Sequence, residues 1–514
     1  MPDTVMPLSV TTPAEAALLP TRPLAPAARV GLYGWIAFAV LLLFAGAMTR
    51  SVSYDEDQYI AAGVLARHLL PYRDFMYLQG PLYPLVLAAL FTVADGWFLL
   101  AGRLLTFALS VGSGVLLWHL LRRLGAGIPL AVALVTACLA SPFLTAPMAN
   151  TRNDMLPLFL MLAGLSVHLW SVERSWWGRV AAALLFGLAA EAKVSYLFGP
   201  LCLGIHALFA PRSRLPPFVL GTAAAAAPAA FFYIAAPEAF RFGVFEFHLR
   251  GPEYWYTIEG QAELLTPWSK LVALADYASF GGNLSLLVLC VALSMVAMAR
   301  HRKWKRPGRL LLGMTATAGL LAFMPSPSWA MYYAALPPLL ACCVAHLDRT
   351  TTFLADATRK QVLVGVALLP AIPFLLLQSV EIAHLAHPAR WVGLMAHDSA
   401  SNIRSMLPED GEVATLFPIA VLDANPIPPA FATGPFMFRS GSLYSPAQLA
   451  RLHSVSPDTV AAMLDRAPPM GIYGGLYAGA WKTSMDAALV AYAESHGWRL
   501  ALTDAQGGRL WVRH

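Results

Sequence analysis

Residues 50–84 read RSVSYDEDQYIAAGVLARHLLPYRDFMYLQGPLYP and contain three consecutive acidic residues, Asp55, Glu56 and Asp57. The segment before them, from Val30 to Met48, is predominantly apolar. At about 1.5 Å per residue it is long enough to cross a hydrocarbon core of roughly 30 Å. The acidic residues are therefore predicted to lie at a membrane face, where ionisable side chains usually have a function.

The composition places the 514-residue chain among membrane proteins. Hydrophobic residues make up 58% and charged residues 12%, whereas about a quarter of the residues in soluble globular proteins are charged. The mean hydropathy is +0.59. The net charge of +6 comes from Lys and Arg in short loops between apolar segments, so it indicates membrane topology and no nucleic-acid partner. The five cysteines lie in apolar runs and predict neither a disulfide framework nor a zinc site.

Further apolar segments follow the first and predict a mainly α-helical polytopic protein with about eleven transmembrane helices. They lie at 99–121, 128–145, 155–172, 179–192, 196–210, 216–236, 280–299, 308–324, 330–347 and 361–380. Residues 1–29 are interpreted as a disordered cytoplasmic tail and residues 30–384 as the transmembrane domain. Turn formers and alternating patterns return in residues 385–514, which predicts a small soluble α/β domain.

Basic residues occur in alternate loops between these segments. They are Arg122 and Arg123; Arg174 and Arg179; Arg212 and Arg214; Arg300, Arg302, Lys303, Lys305 and Arg306; and Arg349, Arg359 and Lys360. The positive-inside rule places these loops and the tail in the cytoplasm. Residues 50–98, 146–154, 237–270 and those after about 381 are then outside. In a Gram-negative bacterium this would be the periplasmic side of the inner membrane.

The first outer segment is predicted to contain two helices that lie in the membrane interface. The run from Asp57 to Leu70 places Ile60 and Gln58 on different helical faces, which is typical of an amphipathic interfacial helix, and Asp57 would be its cap. Pro81 to Val93 is too short to span the bilayer and predicts the second such helix.

The last domain shows patterns of both strands and helices. Glu412 to Leu422 predicts a strand, and Asp486 to His496 predicts an amphipathic helix. Arg499 to Thr503 and Arg509 to Arg513 predict two strands that flank a turn at 506–508. A small periplasmic α/β domain follows from this order.

Outward-facing carboxylates could perform sugar transfer where no nucleotides are available. The sugar would arrive on a polyprenyl phosphate, and its transfer requires a base for the acceptor proton and positive charge for the departing phosphate. The outer segments contain the carboxylates Asp55, Glu56 and Asp154 and the basic side chains Arg152, Lys193, His248 and Arg250. The topology predicts that these groups can converge on one membrane face.

Each candidate also has a purely structural interpretation. The acidic residues could cap helices, Lys193 could extend from a span end to the interface, and His248 could be an ordinary loop residue. Arg103 is interpreted as an anchor at the level of the lipid headgroups, and the aromatic residues 254–256 either as such anchors or as a cover over a site.

Three segments resemble the GT-C glycosyltransferases, in particular the branch of the protein O-mannosyltransferases and the lipid A aminoarabinose transferases. YDEDQYIAAGVLARHLLPYRDFMYLQGPLYPLVLAAL is similar to the family's first outer loop, TRNDMLPLFLMLAGL to its second acidic motif, and EAKVSYLFGP to its lysine segment. The resemblance implies an inverting transfer with Asp55 as base, Glu56 as its helper or a metal ligand, Asp154 as the second acidic position and Lys193 as a contact of the lipid phosphate. The Pro-Pro-Leu motif of many members reads Gly80-Pro81-Leu82 here, which leaves the sugar and the acceptor open.

The predicted function is a membrane glycosyltransferase that moves a sugar from a polyprenyl-phosphate donor to a glycan, lipid or protein acceptor on the periplasmic side. Two alternatives stay open: a transporter or flippase of lipid-linked sugars, and a non-catalytic assembly subunit with this fold. A transporter would be expected to carry charges near the bilayer midplane and matching broken helices. Paired carboxylates can bind Mg²⁺ or Mn²⁺, so metal dependence is also left open and its ligands are unknown.

Overall fold

The computed structural model describes residues 25–171, 175–209, 214–299, 306–351, 357–408, 410–476, 485–504 and 507–514. Most of the predicted tail lies outside the described residues, as do Gln506 of the predicted turn and part of the basic loops, namely Arg174, Arg212, Arg300, Arg302, Lys303 and Lys305. Residues 26–29, which were assigned to the tail, are helical. The reason is that Pro26 occupies the first helical position, where its fixed φ favours helix formation.

The first 384 residues are almost entirely helical where they are described. The helices are α1 (Pro26–Thr49), α2 (Tyr54–Leu65), α3 (Leu82–Phe91), α4 (Phe98–Leu124), α5 (Ile128–Leu139), α6 (Thr145–Ala149), α7 (Met155–Ser171), α8 (Trp176–Ala192), α9 (Phe198–Leu208), α10 (Leu215–Ala225), α11 (Ala227–Ala235), α12 (Pro237–Arg241), α13 (Phe247–Ile258), α14 (Pro267–Ala278), α15 (Gly281–Ala299), α16 (Arg306–Phe323), α17 (Leu336–Thr351), α18 (Ala357–Leu368), α19 (Ala371–Gln378) and α20 (Val380–His384).

The remaining chain alternates short helices and strands. They are α21 (Val392–Ser405), β1 (Val413–Thr415), α22 (Pro435–Ser440), α23 (Pro446–Arg451), α24 (Val460–Arg466), β2 (Gly471–Gly474), α25 (Ala487–Ser495), β3 (Arg499–Thr503) and β4 (Arg509–Val512).

Every predicted span falls on one helix or on consecutive helices. Fewer than the predicted eleven, however, are long and apolar enough by themselves to cross a membrane. Within the described chain, five helices are long and apolar enough to cross a membrane, and a sixth span results if α10 and α11, bent by 43°, are counted together. The others, such as α5, α7 and α9, are apolar but shorter. The multi-pass helical architecture is thus present, while the count of eleven stays a prediction.

Helices α7 and α8 determine where the candidate site lies. Each has 17 residues, and the two pack against each other across a short connection. Because paired helices joined in this way are antiparallel, the chain returns after α8 to the level at which α7 began. Asp154 directly precedes α7 and Lys193 directly follows α8. Two residues that are 39 positions apart in sequence therefore lie at the same end of the bundle.

The two short helices of the first outer segment are present as α2 and α3, but α2 is not an amphipathic surface helix. Gln58, expected on its polar face, is only 4% exposed, and residues 56–63 are all buried. The reason is that α2 packs against α3 and α4 and also against residues 418–420 of the C-terminal region. The prediction of an amphipathic interfacial α2 is therefore wrong in this respect.

The C-terminal residues form a four-stranded sheet in the order β1-β2-β4-β3. β1 and β2 are parallel, and the other two pairs are antiparallel. Helix α25 and strands β3 and β4 lie where the sequence predicts them. Val413, Tyr473 and Leu510 of the sheet belong to the same apolar core as Tyr59 and Phe75 of the first outer segment. The sheet region therefore packs directly on the segment that carries the acidic residues.

The strand predicted from Glu412 to Leu422 is much shorter in the structure, because β1 has only three residues. Pro418, which starts a 3₁₀ turn, has no N–H to donate to a neighbouring strand. The hydroxyl of Thr415 accepts a hydrogen bond from the Phe417 N–H at 2.9 Å, which replaces the next ladder contact. The sequence analysis missed β2, because its glycines are typical of turns.

Candidate active site

The N-terminus of α2 directs three consecutive acidic side chains into different surroundings. Ser53 caps the helix, since its hydroxyl accepts from the Asp55 N–H at 3.3 Å and Glu56 Oε2 accepts from the Ser53 N–H at 2.9 Å. Successive helical side chains point about 100° apart. As a result, the Asp55 side chain is 25% exposed and that of Glu56 is 0% exposed. Asp55 is the more exposed of these two carboxylates.

Asp57 was expected to cap the helix, and this prediction is wrong because Ser53 occupies the cap. Asp57 is 2% exposed, and its Oδ1 accepts a hydrogen bond from the Ile419 N–H at 3.2 Å. Burial, opposed in part by this hydrogen bond, raises the pKa of Asp57 well above its ordinary value. Its carboxyl group joins α2 to the C-terminal region.

Glu56 is surrounded by hydrogen-bond donors. Arg103 Nε and Nη2 donate to its two oxygens at 2.6 and 2.7 Å. Asn150 Nδ2 and the Thr151 N–H donate at 2.7 and 2.6 Å. Arg103 is itself 0% exposed, so its interpretation as a headgroup anchor is wrong. A fully buried carboxylate needs a buried counter-charge, and Arg103 supplies it from α4.

Asp55, Arg152, Asp154 and Lys193 form a continuous row of alternating charges, here called the charge row. Arg152 Nη1 pairs with Asp55 Oδ2, Arg152 Nε donates to Asp154 Oδ2 at 3.0 Å, and Lys193 Nζ pairs with Asp154 Oδ1. Burial alone would raise the pKa of Asp154, but Lys193 and Arg152 together hold it below its ordinary value. The two ends of the row, Asp55 and Lys193, are more exposed than its two central members.

The first outer loop is held against the lysine end of the charge row by a close backbone approach. A Cβ on Gly80 would lie 1.9 Å from the Glu191 carbonyl oxygen, so the contact requires glycine. The preceding residue, Gln79, accepts a hydrogen bond from Asn153 Nδ2 at 2.9 Å. The glycine that departs from the Pro-Pro-Leu pattern thus brings the loop next to Lys193.

His248 and Arg250 both lie on α13, and only His248 approaches the charge row. Its Nε2 is hydrogen-bonded to the Leu78 carbonyl, and because a carbonyl only accepts, Nε2 carries the proton. Desolvation and the nearby Lys193 charge lower the pKa of His248, although the Leu78 contact opposes this. Arg250 is exposed and acts electrostatically on Tyr444. Among the contacts of the described residues, none joins Arg250 to the charge row.

Two tyrosines lie near the same site, and of these Tyr332 was not selected from the sequence. Lys193 Nζ lies 5.8 Å from the centre of the Tyr332 ring, and Asp55 is within electrostatic range of both Tyr332 and Tyr256. The available signal was the aromatic sequence WAMYY at 329–333, at the outer start of a predicted span. Trp255 and Tyr256 are 1% and 6% exposed, so they are core residues and not membrane anchors.

The carboxylates of this site are not arranged like metal ligands. Across the described ranges, no three or more His, Cys, Asp or Glu side chains are grouped to hold an ion. Glu56 faces Arg103, and Asp55 and Asp154 both face Arg152, so cationic side chains stand where a divalent ion would bind carboxylate oxygens. In this geometry the residues do not fit a resident Mg²⁺ or Mn²⁺.

A scan against protein-family models and a search of curated proteins gave no match, but solved structures share the architecture. ArnT from Cupriavidus metallidurans in the apo state aligns with a TM-score of 0.62 at 14% identity, over 94% of this chain and 98% of that chain. This chain has the GT-C fold.

Two further solved structures with this fold are similar to the chain. ArnT from the same organism bound to undecaprenyl phosphate has a TM-score of 0.58 at 16% identity, over 95% of this chain and 98% of that one. The Archaeoglobus fulgidus oligosaccharyltransferase in complex with Zn and sulfate has a TM-score of 0.52 at 10% identity, over 86% and 68% of the two chains. The resemblance inferred from the acidic first loop is thereby confirmed for the GT-C fold.

Proposed function

We propose that this GT-C chain is an integral membrane glycosyltransferase that moves a sugar from a polyprenyl phosphate to a glycan, lipid or protein acceptor. The observation that carries the proposal is the charge row, with a partly exposed carboxylate at one end and an ammonium group at the other. The GT-C fold supports it, because a similar structure, ArnT, has been solved with undecaprenyl phosphate. The basic loops favour the periplasmic side of a bacterial inner membrane as the place of reaction.

In the proposed reaction, Asp55 takes the proton of the acceptor hydroxyl while the acceptor oxygen bonds to the anomeric carbon. The bond between that carbon and the phosphate oxygen breaks in the same displacement. Polyprenyl phosphate leaves with the electron pair of the broken bond, and the Lys193 ammonium stabilises its charge. Attack on the face opposite the phosphate inverts the anomeric configuration.

The other members of the site position these two groups. Arg152 donates to both Asp55 and Asp154, and Asp154 pairs with Lys193. These ion pairs orient the side chains of Asp55 and Lys193 at the two ends of the charge row. His248 is within electrostatic range of Lys193, and we keep it and Arg152 among the proposed contacts of the donor phosphate.

Arg250 is also kept as a proposed phosphate contact. It is an exposed cation on α13, the helix that also carries His248, which is within electrostatic range of Lys193. Guanidinium groups are well suited to phosphate because they donate two parallel hydrogen bonds. This role requires that the donor phosphate reaches toward α13.

The deciding experiment compares Asp55→Asn with wild type in proteoliposomes. Radiolabelled polyprenyl-phosphate sugars are supplied with membrane extract as the acceptor source, and release of polyprenyl phosphate is measured. Loss of a general base should lower the rate at least about 100-fold. Binding of undecaprenyl phosphate should be retained, since Lys193 is unchanged.

Asp74→Asn is the matched control. Asp74 lies in the same outer segment, its side chain is also 25% exposed, and it also forms an ion pair with an arginine, Arg73. This variant should turn over at the wild-type rate. Wild-type turnover by Asp55→Asn would show that Asp55 is not the base. An equal loss of turnover in both variants would show that the effect is not specific to Asp55.

A further inference from the structure

Helix α14 has apolar side chains on both of its faces. The face toward the protein carries Leu274 and Tyr277, which pack against a small core that contains Phe143 and Tyr333. The opposite face has apolar residues at the helical spacing i, i+3, i+4 and i+7, namely Trp268, Leu271, Val272 and Ala275. The first three of these are 74%, 50% and 43% exposed. A helix that is apolar all round belongs in a protein core or in lipid.

The only basic residue of α14 points toward the protein. Lys270 is 7% exposed, and its Nζ donates to the Met324 carbonyl at 2.9 Å and to the Ser326 hydroxyl at 3.3 Å. It also lies 4.8 Å from the centre of the Phe323 ring. A helix at a water surface would turn its lysine outward and its apolar residues inward. The reverse orientation of α14 indicates that its outer surroundings are apolar.

The neighbours of α14 are helices that begin or end beside it. After two intervening residues comes α15, which is long and apolar enough to cross a membrane. Gly281 at the start of α15 has a φ of +58°, and a left-handed residue interrupts helical geometry, so α14 does not simply extend that span. Met324, the partner of Lys270, directly follows α16. The 12 residues of α14 are about 18 Å long, too short to cross a bilayer.

Helix α14 lies on the same side of the helical bundle as the charge row. Tyr332 packs against the same small core as Leu274 and Tyr277, and its ring centre is 5.8 Å from Lys193 Nζ. The uncovered apolar face is therefore at the level where the helices end near the proposed active site.

We propose that α14 lies in the surface of the membrane on the side of the charge row and that its outer face contacts phospholipids. Trp268, Leu271 and Val272 would contact the glycerol region and the first methylene groups of the acyl chains. Because this face carries no basic residue, the contact is apolar and does not select a headgroup charge. The proposal rests on the multi-pass architecture and not on glycosyl transfer.

The test uses a nitroxide spin label on the full-length protein in liposomes. Leu271→Cys is compared with Leu500→Cys, since Leu500 is 49% exposed but lies on β3 of the C-terminal sheet. Collisions with oxygen, which concentrates in hydrocarbon, are measured against collisions with a water-soluble nickel complex. The ratio of oxygen to nickel collisions should exceed one at position 271 and fall below one at position 500. The native cysteines are buried or half-buried, and labelled wild type gives their background.

Two results at position 271 would overturn the proposal. A ratio below one would show that the outer face of α14 is in water. Shielding from both reagents, together with magnetic coupling between labels of two molecules, would assign this face to a second copy of the chain.

A measurement on wild type keeps the test independent of the variants. Phosphatidylglycerol and phosphatidylcholine, each with the same photoreactive acyl chain, are activated in liposomes and their adducts are located by peptide mass spectrometry. Both lipids should modify residues 268–275 to the same extent. Adducts on α15 without any on α14 would overturn the proposal, and so would a preference of α14 for phosphatidylglycerol, since it would show recognition of headgroup charge.

Discussion

Glu56→Gln is expected to destabilise the whole protein, although it only replaces one carboxylate oxygen by an amide group of similar size. Both oxygens of Glu56 accept hydrogen bonds from Arg103, and Asn150 and the Thr151 N–H donate to them as well. An amide nitrogen in either position would face at least two donors. Arg103, which is fully buried, would lose its counter-charge. Breaking a buried pair in this way costs roughly 3–5 kcal/mol of unfolding free energy.

The magnitude is measured by denaturant unfolding in mixed micelles, followed by tryptophan fluorescence. A double-mutant cycle with Arg103→Met tests the cause, because removing both charges leaves neither one unpaired. The double variant should lose less stability than the sum of the two single losses, by at least about 1 kcal/mol. Glu381→Gln is the control, since Glu381 is a partly exposed glutamate outside the network.

A loss below about 1 kcal/mol in Glu56→Gln, or additive losses in the cycle, would refute the structural role of this pair. The neighbouring variant Asp55→Asn should behave in the opposite way. Its carboxylate is partly exposed, and partly exposed ion pairs contribute about 1 kcal/mol or less. We therefore expect Asp55→Asn to fold normally and lose transfer.

Three further predictions concern other parts of the site and the C-terminal region. Gly80→Ala should lower both thermal stability and transfer, because its Cβ would meet the Glu191 carbonyl oxygen; unchanged values in a melting scan and a rate assay would contradict the close approach. Lys193→Gln and Arg250→Gln should each weaken binding of undecaprenyl phosphate about tenfold, measured by native mass spectrometry. Burial raises the pKa of Asp423 to about 6, above its value of about 4 in an unfolded chain. Wild-type stability should therefore fall as the pH rises from about 4 to 6. Asp423→Asn should remove this part of the pH dependence of melting, and an unchanged slope would contradict it.

The sequence was sufficient to predict the elements that place the site. Long apolar segments predict the long helices, because a helix that crosses a hydrocarbon core needs apolar side chains along its whole length. The meeting of Asp154 and Lys193 follows from two consecutive antiparallel helices, which the apolar segments 155–172 and 179–192 predicted with unequal lengths and the structure shows with 17 residues each. The position of Asp55 directly after the first long helix was predicted by the same reasoning, whereas its role as base was implied by the resemblance to the GT-C glycosyltransferases.

Long-range partners could not be predicted in the same way. Arg103 is 47 residues from Glu56, and Ile419 is 362 residues from Asp57. Contacts between residues so far apart in sequence leave no periodic signal, because tertiary packing determines which residues pair. The buried position of α2 has the same origin, because the C-terminal region that covers it lies far along the chain.

The proposal of Asp55 as base, which the resemblance implied, is supported independently by what the fold does to the two neighbouring carboxylates. Glu56 is committed to Arg103, and Asp57 to the Ile419 N–H with a raised pKa. A base must be ionised and within reach of its substrate, which excludes both. Asp55 alone of the three consecutive acidic residues combines partial exposure with a cationic partner, Arg152. The same capping geometry that buries Glu56 therefore leaves Asp55 partly exposed beside Arg152, and this supports the proposed role of Asp55 as base.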